Sequence, residues 1–307
     1  VQQAKTMTMA EAVSAFIRNG QSISIEGFTH LIPVAAAHEI IRQGISGLTV
    51  YRMTADIVVD QLVAAGCVQK LVSSFIGNSS VGSLHELRRR IEDADPVPLE
   101  YVEYSHGGMI SRYLAGASGL PFYPIHSYAG SDIKTVNDEI RVVESPYDGS
   151  KIHVVPPIKP DVTIIHAQRA DARGNTQIWG LTGIQQEAAY AAENVIVVVE
   201  EIVADEVIRS DPNRTLLPAH AVSAVVECPK GAHPSFVQGY YDRDGDFYRQ
   251  WNSISKEPEL LQRWLKEWVY DLEDHAAYVR KQGSDFWDGL ESPNVPSLPV
   301  SYGSRKL

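Results

Sequence analysis

Two stretches of the chain concentrate the residues able to do chemistry. The first runs from His166 to Gly180, HAQRADARGNTQIWG, where Gln168, Arg169, Asp171, Arg173 and Asn175 crowd around Gly174, with Trp179 and Gly180 closing the segment. It follows Asp161-Val-Thr-Ile-Ile165, a β-branched apolar run that reads as a buried strand. Gly174-Asn175 is turn chemistry, because both residues tolerate positive φ. Polar groups just past a buried strand are where open α/β sheets place ligands. A plain hairpin turn with solvated charges gives the same pattern. The second stretch is Glu100-Tyr-Val-Glu103-Tyr-Ser-His106-Gly107-Gly108. In a strand, Tyr101 and Glu103 share one face, which sets Glu103 at the strand's end beside an imidazole and a flexible Gly-Gly turn. A glutamate among aromatics has a raised pKa and suits general-base work near neutral pH. The alternatives are a glutamate held by an ion pair or a tyrosine hydroxyl, and a His106 that only caps a turn.

Other chemistries lack their residues. No G-x-G-x-x-G follows the first predicted strand, which argues against a dinucleotide. The histidines form no H-E-x-x-H and no tight cluster with cysteine, so no metal site is expected. No G-x-S-x-G marks a serine nucleophile. The Gly77–Ser83 loop has the length of a phosphate loop without its lysine. Asp242-Arg-Asp-Gly-Asp246 lacks the terminal glutamate and flanking helices of a calcium loop and reads as a solvated turn. A formal charge of −11 argues against nucleic acid as a partner. Cys67 and Cys228 read as buried thiols, which suits a reducing cytoplasm. No apolar run reaches the ~18 residues of a membrane span, and the N-terminus lacks a signal-peptide pattern.

The elements that must position these residues alternate. Thr8 and Glu11 form a capping box before an amphipathic helix that Gly20 ends. Strands are predicted at Ser22–Ile25, Leu48–Tyr51, Leu71–Ile76 and Leu99–Tyr104, with helices from Pro33 to Gly44, over Val58–Ala65 and over Ser83–Glu92. Further strands fall at Arg141–Glu144, Lys151–Val155, Asp161–Ile165 and Val195–Glu200, with a helix over Gln185–Glu193. Alternation of this kind predicts an α/β fold, a mainly parallel open sheet covered by helices on both faces. Pro258–Lys281 carries a helical apolar stripe through Leu261, Leu265, Trp268 and Leu272. Residues 1–240 are therefore assigned to the α/β domain and 241–307 to a helical extension packing on the core or on a partner chain. The extension's Trp251, Trp264, Trp268 and Trp287 make it more apolar than a free surface.

Several of these segments resemble the class I CoA-transferase family. The pieces are His166-Ala-Gln168, Ala170-Asp171 and Gly174-Asn175 at a strand end, and Gly27-Phe28 after the first strand. To these add Asn194–Val203 as a late strand, and Gly119–Pro124 followed by Gly130-Ser-Asp132, as in glutaconate-type α subunits. The resemblance covers about Met7 to Cys228. Within the family the chain resembles most the α subunit of the actinobacterial steroid ring-cleaving acyl-CoA hydrolases. It departs from the family at Glu26-Gly27, where transferases carry a double glycine, at Leu31-Ile-Pro33, which lacks their Gly-x-Pro, and at His126, where glutaconate-type chains have Arg.

The resemblance implies an acyl-CoA substrate with no further cofactor, CoA itself being part of the substrate. It also implies a homologous β subunit, in an α₂β₂ assembly, that carries the family's nucleophilic glutamate. Glu193-Asn194 here is followed by Val195 and does not complete that motif. The residues expected at the substrate, from these motifs, the 77–83 loop and the 100–108 strand end together, are Gly27, Phe28, Asn78, Ser80, Tyr101, His106, Gly107, Gly108, His126, Gln168, Asp171, Asn175 and Trp179. Gln168 is the expected contact, and Asp171 and Asn175 hold the loop. Glu103 is then the expected catalytic base of a hydrolase that cleaves a C–C bond in the ring of a steroid-derived acyl-CoA. The competing readings are a glutaconate-type CoA-transferase and a non-catalytic sugar-phosphate-sensing module.

Overall fold

The structure, a computed structural model, describes residues 4–78 and 81–292. Seven strands run parallel: β1 (Ser22–Glu26), β2 (Leu48–Tyr51), β3 (Val68–Ser73), β4 (Glu100–Glu103), β5 (Val162–Asp171), β6 (Asn194–Val203) and β7 (Ala224–Glu227). Their spatial order is β4-β3-β2-β1-β5-β6-β7. The chain leaves β1 towards one edge and returns from β5 towards the other. The topological switch therefore falls between β1 and β5, which pair from Ile23↔Val162 to Glu26↔Ile165.

Strand alternation feeds two cores. Ile23, Ile25, Ile164, Ile196 and Val198 point into one layer with α2 (Val34–Arg42) and α3 (Ile57–Ala64). Ile165, Val195, Val197 and Val199 point into the other. A third cluster, around Tyr104, Met109 and Tyr113, seats α4 (His106–Ala117). A three-stranded antiparallel sheet, Tyr123–Ile125, Arg141–Glu144 and Lys151–Val155, sits beside α4. Among the described residues no helix is long and apolar enough to cross a membrane.

Three elements differ from expectation. β5 runs on to Asp171, so His166-Ala-Gln168 is strand and not the loop after it. Its far half pairs with Thr176–Gln177 in a hairpin, which supplies the ladder partners that a polar sequence hid. Because β6 pairs with β5 as far as Asp171↔Val203, that hairpin lies on the β1 side, in line with β1 and beyond its end. The 258–281 stripe breaks after Pro258–Leu265 into a π-turn, Lys266–Tyr270, and resumes at His275. Three of the four tryptophans of the extension, Trp251, Trp264 and Trp287, are buried within this chain, and Trp268 partly so. Trp251 is 0 % exposed and Trp264 is 8 % exposed, both in the same core cluster as α2 and α3.

One buried carboxyl joins those helices to the sheet domain. Asp60 of α3 accepts the N–H of Leu87 at 2.8 Å and the indole Nε1–H of Trp251 at 2.9 Å. Burial pushes this carboxyl from its ordinary range near 4 up to about 7, against the pull of those two donors. A raised acid keeps its proton in the folded state while the unfolded chain has lost it. Its contribution to stability therefore declines as pH rises from about 4 to about 7 and is flat above. Asp60→Asn turns an N–H₂ group toward one of two donors and should destabilise the protein by about 1–3 kcal/mol at pH 7.5 in urea unfolding. It should also remove that part of the pH dependence, since the amide does not titrate.

Candidate functional site at the strand switch point

An open parallel sheet binds ligands where its connections diverge, at the carboxyl ends of the strands. Here that point is the turn after β1, Gly27-Phe-Thr-His-Leu31. Thr29 and Leu31 have φ of 56° and 57°, left-handed values that cost a non-glycine residue ~1–3 kcal/mol each unless the surroundings impose them. The surroundings do. Below the turn, Arg52, 1 % exposed, donates to the carbonyls of Ile25 at 2.5 Å and Gly27 at 3.0 Å, and pairs with Asp56 at 2.6 Å. Across it, His30 bonds Leu181 O through Nδ1 at 2.8 Å, and its Nε2 receives the Gln238 N–H at 2.9 Å. A main-chain N–H can only donate, so Nε2 is the acceptor and the ring is the neutral Nδ1–H tautomer. Burial agrees, driving His30 down to about 4. Beyond it, the Leu31 N–H bonds the Phe236 carbonyl at 3.1 Å.

Glu26 ends β1 directly under this turn and is 2 % exposed. It accepts the Met53 N–H at 2.9 Å and the Tyr113 hydroxyl at 2.8 Å, with Arg52 at 3.9 Å. Burial raises its carboxyl to about 7, and Arg52 leads the opposing effects.

The hairpin beyond β5 closes the crevice from the other side. Gln168 is fully buried and clamps the main chain of Trp179, donating to its carbonyl at 2.8 Å and accepting its N–H at 3.3 Å. This holds Trp179–Gly183 against the β1 turn, where Phe28 packs on Gly183 so closely that a Cβ there would lie 2.9 Å from Phe28 Cβ. The Gln168 amide is thus engaged within the protein instead of facing a ligand. Trp179 lies between the guanidinium groups of Arg169 and Arg214, at 5.3 and 4.9 Å from its ring centre. Asp171 receives the N–H groups of Arg173, Gly174 and Asn175 at 2.9–3.0 Å and the Asn175 amide at 2.6 Å. The hairpin tip rests on Ala219, whose N–H bonds Asn175 Oδ1 at 2.9 Å, and lies away from the β1 turn. His166, also buried, bonds Glu200 at 2.7 Å.

The remaining expected residues stand along the same carboxyl edge. Glu103 ends β4, the edge strand, three strands from β1 and so roughly 14 Å away at about 4.8 Å per strand. It is exposed in this chain, while Tyr101 is half-buried with its phenol pushed up to about 12 by burial and the Glu103 charge. His106 and Gly107 are exposed at the start of α4, the imidazole edge-on to Phe75. Gly108 is packed so tightly that a Cβ would lie 1.8 Å from the Tyr128 hydroxyl. His126 is exposed. Asn78 is buried and donates to the Tyr248 carbonyl at 2.8 Å, and Ser80 lies outside the described residues. The crevice thus gathers Gly27, Phe28, Gln168 and Trp179; Glu103, His106 and Gly107 form a second group further along the edge. Glu26, His30 and Arg52 were missed. The signal for Glu26 and Arg52 was a charge at the end of each of two neighbouring apolar strands, Ser-Ile-Ser-Ile-Glu26 and Leu-Thr-Val-Tyr-Arg52; His30 carried none.

Residues 6–228 match the family model of coenzyme A transferase, and the chain belongs to that family, as an α-type chain. It is similar to the A subunit of the 3-oxoadipate CoA-transferase of Pseudomonas knackmussii, 47 % identical over 278 residues, which cover 91 % of this chain and 98 % of that protein. The fold is similar to the crystal structure of glutaconate coenzyme A-transferase from Acidaminococcus fermentans, with a TM-score of 0.89 at 35 % identity over 96 % of this chain and 97 % of that one. The cholesterol ring-cleaving hydrolase IpdA subunit of Rhodococcus jostii is more distant, at 28 % identity over 90 % of this chain and 96 % of that protein. The expected kinship with ring-cleaving hydrolases is therefore the weaker of the two branches.

Gly27 is the most constrained position of the crevice: a Cβ there would lie 2.3 Å from the Leu31 carbonyl oxygen. Gly27→Ala must push the turn off its supports. We expect a loss of about 1–3 kcal/mol in thermal or urea unfolding, as for other overpacked sites, with kcat/KM reduced in the folded protein.

Proposed function

We propose that this chain is one subunit, of the α type, in a two-component CoA-transferase that exchanges CoA between an acyl-CoA and a short dicarboxylic acid. The observation that carries the reading is the near full-length similarity to the corresponding chain of a 3-oxoadipate CoA-transferase, seconded by the glutaconate enzyme. Both named acids carry two carboxylates. The geometry is consistent with a chain that supplies half of a site. Glu193 and Asn194 lie at the amino end of β6, at the end of the sheet opposite the crevice, so the nucleophilic carboxylate falls to the β subunit. The assembly proposed is α₂β₂, with CoA thioester as substrate and no other cofactor.

Transfer and hydrolysis differ in what they ask of Glu103. A carboxylate nucleophile and an acid acceptor are already ionised at neutral pH, so transfer needs no base to remove a proton. Water attacking a ring ketone does need one. In the complex of this chain with its β subunit, we expect CoA transfer from succinyl-CoA to dicarboxylic acids of four to six carbons. Hydroxylamine or borohydride should inactivate the complex only when acyl-CoA is present. Glu103→Ala should leave kcat within about fivefold of the wild type, well short of the ~10²-fold cost of losing a general base. Absence of transfer, resistance to both reagents and a ~10²-fold loss in Glu103→Ala would together establish hydrolysis instead.

A further inference from the structure

Arg169 is a cation that the fold holds in place and leaves unpaired. It is half-buried in the far part of β5, and its Nε–H donates to Gln177 Oε1 at 2.8 Å. Gln177 is fully buried, and its own amide donates to the carbonyls of Ile208 at 3.0 Å and Asp211 at 2.7 Å, so the acceptor cannot rotate away. The guanidinium lies over the Trp179 ring, 5.3 Å from its centre, within cation–π range. Among the described residues, its two terminal nitrogens meet no carboxylate or carbonyl, and they remain open to solvent. Glu201 stands opposite Arg169 in the β5–β6 ladder, yet its carboxylate accepts the Tyr240 hydroxyl at 2.5 Å and forms no ion pair with the arginine. Arg214, on the other side of Trp179, differs in being paired, with Asp211 at 2.8 Å. A planar cation, partly withdrawn from water, tethered at Nε and with its terminal N–H groups presented outward, is the geometry that receives a carboxylate in two parallel hydrogen bonds.

Its place fits the second carboxylate of a dicarboxylic acid. Side chains alternate along a strand, so Arg169 projects from the same face of β5 as Ile165, the register partner of Glu26 at the end of β1. It stands four residues further along that face, ~13 Å at ~3.3 Å per residue. From Trp179 the chain leads back to the β1 turn, where the Leu181 carbonyl meets His30. The arginine thus stands at the outer end of the crevice. A short acid whose reacting carboxyl lies by the turn extends its other end toward it. We propose that Arg169 binds the non-reacting carboxylate of the dicarboxylic substrate and so sets a preference for diacids over monoacids. This rests on the transferase reading. The contact is made away from the reacting carbon, so it contributes to binding in the ground state and the transition state alike and acts on KM rather than kcat.

The test compares glutarate with pentanoate as acceptors of CoA from succinyl-CoA, in the complex with the β subunit. The two acids differ only in that a methyl group replaces the distal carboxylate. The wild type should favour glutarate at least about tenfold in kcat/KM, the fold-change expected of one charge-assisted contact, and a smaller preference sinks the proposal before any variant is made. Arg169→Gln should raise KM for glutarate at least about tenfold, with kcat and the kcat/KM for pentanoate each within about threefold of wild type. A smaller fall in the glutarate-to-pentanoate ratio overturns the proposal, and so do equal losses with both acids, which mark a structural role. Should Arg169→Gln fail to fold, Arg169→Lys is read in its place: the charge stays and the fork goes, so the ratio should fall at least about threefold, and a smaller change overturns the proposal. Two further results defeat it. A variant that raises KM for succinyl-CoA, but not for glutarate or succinyl-pantetheine, assigns the arginine to a CoA phosphate. A variant whose activity returns on adding excess β subunit assigns it to the subunit interface. A wild-type complex that passes CoA to no acid defeats the transferase reading itself, so the two failures are distinct.

Discussion

The site hangs on one buried guanidinium. Arg52 lies one residue past β2, under the turn that follows β1, and ties together three things that would otherwise separate: the carbonyls on either side of Glu26, the start of α3 through Asp56, and Glu26 itself. A buried arginine is tolerable only if its donors find acceptors and its charge a partner. Here Asp56 supplies the charge and two main-chain carbonyls supply the acceptors. Bonding carbonyls, which a lysine's single ammonium could not fork across in this way, leaves the N–H side of the same turn available.

A parallel sheet makes this arrangement possible. β1 is central, and the two halves of the chain depart from it in opposite directions. The space beyond its carboxyl end is finished by a returning hairpin, which Gln168 fastens from inside by mimicking a strand partner for Trp179. Three polar residues of β5 are engaged within the protein: Gln168 aligns one wall, Asp171 folds the hairpin tip, and His166 is bonded to Glu200.

Much of the architecture was legible in local pattern. The capping box at Thr8 and Glu11, the parallel strands and the strands Arg141–Glu144 and Lys151–Val155 appear where periodicity put them. The far half of β5 was not legible, because a run containing Gln, Arg and Asp reads as loop unless its pairing partners are known. The site was half legible. Gly27 and Phe28 were found through a family signature, and that signature says nothing of how the turn is supported. Arg52, His30 and Glu26 are ordinary residues in sequence; only three-dimensional pairing shows that all of them serve one turn.

The match to the family ends at residue 228, yet the polypeptide's interior does not. Phe247, Trp251, Trp264 and Leu265 fill the same apolar layer as β1, α2 and α3, and Trp251 is bonded to a carboxyl inside it. The end of the family model is thus not a seam along which the molecule can be cut. A fragment trimmed to the matched region would bare the flank of two helices and strand Asp60 in a greasy hollow without its indole donor. The last helices belong to the fold as fully as the first strand does, even though the residues by which the family is recognised lie elsewhere.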